Sequence, residues 1–357
     1  MHDHRNDTIQ IRNGEVFNYV RLEVLLRNKF AGISDDDMKV KQFSAGRSNL
    51  TYLVKIGDWK AVIRRAPIGP VNTKAHDIER EYQVLKAVSP IFPLAPKPFD
   101  YIEDDAIIGA PFYLMELKSG VLLGQVLPNN EDGSEQLFQR VSHSMVHALV
   151  DLHALKYNET NLIHFTKPDG FLERQVNGWV GRYRNVKTEE VPYMEELIEW
   201  IADHRPISQP PTFIHYDFHL KNVLFSENNL GEISGILDWE MSTVGDPLTD
   251  LASALVLWHE KDDPELFKNH LSNSPITLRP GFMTRNEYIE AYAKKSGRDV
   301  SNMNYYMVFG YFKHIVIMQQ MYYRWRKGQT ADERSKNLDS LVRELTQWAM
   351  EKTEEKF

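Results

Sequence analysis

The chain has no cysteine among its 357 residues. That excludes disulfide staples, thiolate nucleophiles and Cys-ligated zinc, and a core of this size needs no staple. A basic excess is missing too: 42 Lys and Arg stand against 50 Asp and Glu, a formal net charge of −8. Nucleic-acid-binding surfaces carry the opposite balance, so no nucleic-acid partner is expected. A long apolar run is also absent. The longest near the C-terminus, Tyr305 to Phe312, is cut by Lys313 and His314, too short to span a bilayer. The first residues, Met1-His2-Asp3-His4-Arg5-Asn6-Asp7, are polar with no apolar stretch behind them. No signal peptide and no membrane partner are expected, and the expected location is cytoplasmic. There is no internal repeat and no low-complexity tract.

What is present is ordinary globular composition, 42% hydrophobic and 26% charged. The length suggests about two domains. The first third reads as a small mixed α/β region. Val16, Val20, Leu22, Leu25 and Leu26 recur at roughly helical spacing within 15–29. Strand-like segments follow at 38–43, 51–56 and 60–65, with Gly57-Asp58 as a hairpin turn. A helical stripe over 75–88 is ended by Pro90, Pro93, Pro96 and Pro98, and short strands are expected at 99–102 and 112–115. Beyond about residue 118 the pattern turns helical. Helices are predicted at 136–155, 173–184, 194–203, 247–259, 285–296, 302–326 and 331–352. Two short β runs, 222–225 and 232–237, interrupt them. The expected organisation is α+β: a β-rich lobe over 1–118 and a helix-rich lobe over 119–357.

The most informative segment is Phe213-Ile214-His215-Tyr216-Asp217-Phe218-His219-Leu220-Lys221-Asn222, which contains H-x-D-x-x-x-x-N. Asp238 follows at the end of an apolar β run. Phosphoryl transfer asks a protein for positioning and charge neutralisation rather than covalent work. A carboxylate at Asp217 suits the orientation and deprotonation of a hydroxyl. The amide oxygen of Asn222 and the carboxylate of Asp238 suit Mg²⁺, which prefers hard oxygen ligands. Chance placement of these residue types yields about 0.05 such matches in the chain.

This segment resembles the catalytic loop of the aminoglycoside phosphotransferase and choline kinase-like family, relatives of the protein kinases. Gly46-Arg47-Ser48-Asn49 is similar to that family's nucleotide-covering turn. Arg64 stands where the wider family places a phosphate-binding lysine, and Glu81 matches its carboxylate partner. Further motifs resemble the branch associated with acyl-CoA dehydrogenases, among them Arg64-Arg65-Ala66-Pro67, Ile108-Gly109-Ala110-Pro111, Glu173-Arg174-Gln175-Val176 and the run from Leu237 to Leu248. The resemblance implies a two-lobed protein-kinase-like fold with a small antiparallel-sheet N-lobe and a larger helical C-lobe. It implies ATP as co-substrate with Mg²⁺, and a small-molecule acceptor such as a hydroxyacyl-CoA or related hydroxy acid. Nucleotide would be held by Arg64, Glu81, Gly46, Ser48 and Asn49, and by Met115, Glu116 and Leu117 between the lobes. His215 and Asp250 would support the catalytic loop. Tyr216 departs from the family, which usually has Gly there.

Other readings stand beside these. His215, Asp217 and His219 alternate along an extended segment and could form the metal cluster of a phosphohydrolase. The acceptor could be an aminoglycoside. The chain could also be a non-catalytic nucleotide- or acyl-CoA-binding module. Arg64 and Glu81 could be a surface ion pair, and Asp246 before Pro247 reads as a helix N-cap.

Overall fold

The computed structural model describes residues 8–12, 15–44, 49–66, 77–123, 133–270, 275–330 and 332–355. The chain divides into two compact units: residues 1–119 with 234–240, and residues 120–233 with 241–357.

The first unit is built on an antiparallel sheet. Its strands are β1 (Thr8–Ile9), β2 (Met38–Phe43), β3 (Leu50–Ile56), β4 (Trp59–Arg65), β5 (Pro98–Ile102) and β6 (Phe112–Met115), in the order β1-β2-β3-β4-β6-β5. Gly57 takes φ 57°, which no Cβ opposes, in the two-residue turn between β3 and β4. Three helices accompany the sheet: α1 (Tyr19–Lys29), α2 (Ile78–Val88) and α3 (Asp105–Ile108). Alternation along β3 buries Leu50, Tyr52, Val54 and Ile56. These meet Leu22 and Leu26 of α1 and Ile63, Phe112 and Leu114 of the sheet in one core.

The helix expected over 15–29 begins later than its apolar spacing suggests. Asn18 caps it by accepting from the Arg21 N–H, and Val16 and Val20 are exposed. Asp77 caps α2 in the same way through Arg80 N–H. Asp104 caps the short α3, which no apolar period announced.

The second unit is mainly helical. It contains β7 (Val121–Leu122), α4 (Glu135–His153), α5 (Phe171–Val186), α6 (Met194–Asp203), β8 (Thr212–Ile214), β9 (Val223–Ser226), the start of β10 (Asn229–Ile236) and β11 (Thr243–Gly245). Then come α7 (Pro247–Val256), α8 (Glu265–His270), α9 (Arg285–Ser296), α10 (Met303–Arg326) and α11 (Leu338–Glu351). Asp246 caps α7 through the Leu248 N–H with Pro247 behind it, as its sequence context indicates. β8 and β11, three residues each, pair antiparallel on either side of the 215–242 segment and went unforeseen because neither is long enough to show a period.

A single cut at residue 118 omits a return of the chain. Residues 234–240 rejoin the first unit, where the Ile236 N–H donates to the Leu94 carbonyl at 2.9 Å and the Ser234 hydroxyl to the Ser119 carbonyl at 2.6 Å. Trp239 packs edge-on against Phe92 and is 1% exposed. This return carries Asp238 into the sheet-rich unit.

In the helical unit, buried Arg285 makes a two-pronged bond to buried Asp263, both at 2.6 Å, and also donates to the Leu255 carbonyl. Burial would raise the Asp263 carboxyl, but His259 and Arg285 outweigh it and hold the group at about 2. The stability this supplies is present above the ordinary carboxylate range and lost as pH falls through about 2. We predict that Asp263→Asn costs about 2 kcal/mol at pH 7, with the difference from wild type closing between about pH 4 and pH 2 in urea denaturation. A pH-independent difference would contradict the assignment.

Candidate active site

Successive side chains on β4 point to opposite faces, which separates its two arginines. Arg65 is fully buried and structural: it donates to Glu15 O and Ile108 O and to the Tyr52 hydroxyl. Arg64 turns the other way and is not a surface ion pair, for it is 7% exposed. Its Nε meets Glu81 Oε2 at 2.8 Å, one Nη bonds Asp238 Oδ1, and the same Nη reaches Glu240 Oε2 at 3.2 Å. Burial alone would loosen its proton, but Glu81 and Asp238, with a smaller share from Glu240, hold the guanidinium more firmly than usual. Burial in turn pushes Glu81 upward against the pull of Arg64. Among the described residues, three carboxylates therefore converge on this one cation. Asn49 joins them through Glu240 Oε2 at 2.8 Å. Glu240 thus faces the Arg64 cluster. Gly46 and Ser48 lie outside the described residues.

Met115 ends β6, and Glu116 follows with its N–H on the Lys97 carbonyl at 2.8 Å and its carboxylate on the Lys97 N–H at 3.1 Å. Leu117 comes next, half-buried.

In the helical unit, His215, Asp217, Asn222 and Asp250 come together. Asp250 is fully buried, and its oxygens accept the His215 N–H at 2.7 Å and the Tyr216 N–H at 2.8 Å. His153, bonded to Tyr292, completes its shell at 3.1 Å. His215 is buried under the turn, with its Nδ1 taking the Asp217 N–H at 3.3 Å. The Asp217 side chain is 40% exposed. Asn222 Nδ2 donates to it at 2.8 Å and to its carbonyl at 2.9 Å, and His219 Nε2 lies 3.4 Å away. Burial would raise Asp217, but the bond to His219 and the charges of His219, His215 and Lys313 keep it well below the usual carboxylate range. Among the described residues, no group of three or more His, Asp or Glu is arranged to hold a metal. In the His215-Asp217-His219 alternation, His215 Nδ1 is turned to the Asp217 N–H rather than toward a shared centre.

Two of these positions have left-handed backbone without glycine, Tyr216 at φ 66° and Asp238 at φ 65°. Each costs about 1–2 kcal/mol, and such outliers gather where function requires them. The angle explains why glycine suits position 216. Tyr216 is held there by Asp250 and by its ring, which lies 3.5 Å beneath the Lys313 ammonium. A buried cation–π contact is worth about 2 kcal/mol, enough to offset the turn.

Residues 39–274 match the phosphotransferase enzyme family. The chain belongs to that family. The chain is 32% identical over 330 residues to acyl-CoA dehydrogenase family member 10 of Mus musculus, a match that covers 92% of this chain and 30% of that protein. It spans less than half the length of the curated relatives it matches. Among solved structures, a candidate aminoglycoside phosphotransferase from Ralstonia eutropha superposes with a TM-score of 0.78 at 26% identity, covering 96% of this chain and all of the other. An aminoglycoside phosphotransferase in ternary complex with AMP-PNP and hygromycin B shares the fold at 16% identity, with a TM-score of 0.56 over 93% of this chain and 98% of that one. The kinase-like α+β fold and the branch associated with acyl-CoA dehydrogenases thus stand as the motifs implied.

Arg64 is the residue on which the first cluster depends. Replacing it by Met strands Glu81 as an unpaired buried carboxylate, which should cost about 3–5 kcal/mol in urea denaturation. Arg64→Lys should fall between, since an ammonium cannot fork to two carboxylates. Wild-type stability in Arg64→Met would contradict the pairing described.

Proposed function

We propose that the chain is an ATP- and Mg²⁺-dependent phosphotransferase acting on the hydroxyl group of a small molecule. The observation that carries the reading is Asp217: an exposed carboxylate kept anionic, aimed by a pinned backbone turn and braced by Asn222. Such a group accepts a hydrogen bond from an acceptor hydroxyl, orients its oxygen for attack and takes its proton. Asp217 is the proposed catalytic residue, with His215 and Asp250 in support.

The donor chemistry fits magnesium. The Asn222 amide N–H groups are committed to Asp217, so its oxygen is the atom it offers a metal. Asp238 offers a carboxylate from a cluster in which negative groups outnumber the guanidinium. Mg²⁺ at Asn222 and Asp238 would neutralise charge on the transferring phosphate. Arg64, tethered by Glu81, is the proposed phosphate contact. Asn49 with Gly46 and Ser48 would cover the phosphates, and Met115, Glu116 and Leu117 would meet the base. The AMP-PNP bound to a protein of the same fold supports ATP as donor.

For the acceptor we extend the reading to a hydroxyacyl thioester or related hydroxy acid, on the motifs Arg64-Arg65-Ala66-Pro67 and Glu173-Arg174-Gln175-Val176 that resemble the branch associated with acyl-CoA dehydrogenases. A second reading, an aminoglycoside acceptor, is supported by the likeness to the candidate aminoglycoside phosphotransferase from Ralstonia eutropha.

The test is an ADP-release assay with Mg·ATP against hydroxyacyl-CoA thioesters, free hydroxy acids, choline and aminoglycosides. Turnover on a thioester is expected. Asp217→Asn should lower it about 10²–10⁴-fold with ATP affinity nearly unchanged. Turnover only on aminoglycosides would select the second reading, and undiminished turnover in Asp217→Asn would remove that residue from the chemistry.

A further inference from the structure

Lys313 sits mid-way along α10, where its neighbours Phe312, Ile315 and Val316 are fully buried. Lysine is out of place there. It is 7% exposed, and burying an ammonium is costly unless it is well paired. Its direct contacts are nonetheless neutral: the Tyr216 carbonyl at 3.2 Å, the Ser253 hydroxyl at 3.4 Å and the face of the Tyr216 ring. An ordinary core position would carry methionine or leucine. The polar group must therefore be retained for what it holds.

What it holds is the peptide joining Tyr216 to Asp217. The other groups of this turn are already taken, the His215 and Tyr216 N–H groups by Asp250 and the Asp217 N–H by His215. The Tyr216 carbonyl is fixed by Lys313 from a different helix. We propose that Lys313 is a positioning residue for phosphoryl transfer: its ammonium, sealed beneath the left-handed Tyr216 turn, fixes the peptide plane that aims the Asp217 carboxylate. The inference rests on the reading of Asp217 as the group that handles the acceptor hydroxyl.

The grip depends on charge. Burial lowers the Lys313 ammonium to about 8, only partly opposed by Asp217 and Asp250, while Arg182 pushes further down. The titratable and charged groups facing it are Tyr216 and Asp217 of the loop, Asp250 of α7, Arg182 of α5 and His314 of its own helix. Above about pH 8 the neutral amine keeps a weaker hydrogen bond and loses its attraction to the Tyr216 ring. Stability moves the opposite way. The unfolded lysine titrates near about 10.4, so the folded state binds fewer protons between about 8 and 10.4 and this group's contribution rises with pH. Activity that falls while stability does not is therefore the signature of this lysine.

The test uses the full chain, wild type and Lys313→Met, from pH 6.5 to 9.5. Backbone amide exchange, corrected for its intrinsic pH dependence, reports protection at residues 215–217. ADP release reports kcat and KM with Mg·ATP and whichever acceptor supports turnover, or with water alone. In wild type, loop protection and kcat should both fall with a midpoint near pH 8. In Lys313→Met, kcat should be about tenfold lower or more with ATP affinity within about twofold, and the alkaline fall should vanish. Loop protection indifferent to pH in wild type would overturn the proposal even if the variant fails to fold. So would a variant that keeps the wild-type kcat. Loop protection that behaves as expected, without phosphoryl transfer to any acceptor or water, would uphold Lys313 as the loop's anchor and remove the phosphotransferase reading instead.

Discussion

A carboxylate with nowhere to go governs the helical unit. Asp250 is fully enclosed on α7, and an enclosed anion must be satisfied in full or it unfolds its surroundings. Its two oxygens take the backbone N–H groups of His215 and Tyr216, and His153 takes the remaining capacity. The loop bends to meet these demands, which forces Tyr216 into left-handed backbone and turns Asp217 outward. His215, Lys313 and Asn222 then fix what remains free of the turn. The direction of the Asp217 carboxylate is thus a consequence of how α4, α7 and α10 pack, not a property of the loop alone.

The sheet-rich unit solves a related problem with the signs reversed. Arg64 is a buried cation on a central strand, and it is satisfied by Glu81 from α2 and by Asp238 and Glu240 from the chain's return. Asp238 reaches it only because the backbone there also takes a left-handed turn, just before Trp239 fills the space beside Phe92. In each unit a left-handed residue precedes or itself bears a carboxylate that faces outward or toward a cation: Tyr216 before Asp217, and Asp238 itself. Strain of about 1–2 kcal/mol at each turn is the cost of holding an acid group in a set direction.

Much of this was legible in the residues. β2, α6 and α9 run over the spans predicted for them. The H-x-D-x-x-x-x-N run and Asp238 marked the acid groups, and Arg64 and Glu81 do meet. The starts of α1 and α2 were misjudged because a capping side chain overrides an apolar stripe. The return of 234–240 to the first unit was hidden, since its bonds to Leu94 and Ser119 are long-range and use a backbone N–H and a serine hydroxyl, neither of which announces its partner in sequence. Lys313 left a trace, as the residue that cuts an apolar run, but a charge in such a run more often ends the buried stretch than sits beneath a loop. The value of a tyrosine at 216 was unreadable without its φ angle and the ammonium over its ring.

The central claim is that Asp238 and the Arg64 guanidinium serve a metal-bound nucleotide. Calorimetric titration of the full chain with ATP, with and without Mg²⁺, tests it most directly. The account predicts saturable binding that depends on Mg²⁺ and is lost in Asp238→Ala. Absence of binding with the metal present, or equal binding in its absence and in the variant, would contradict it.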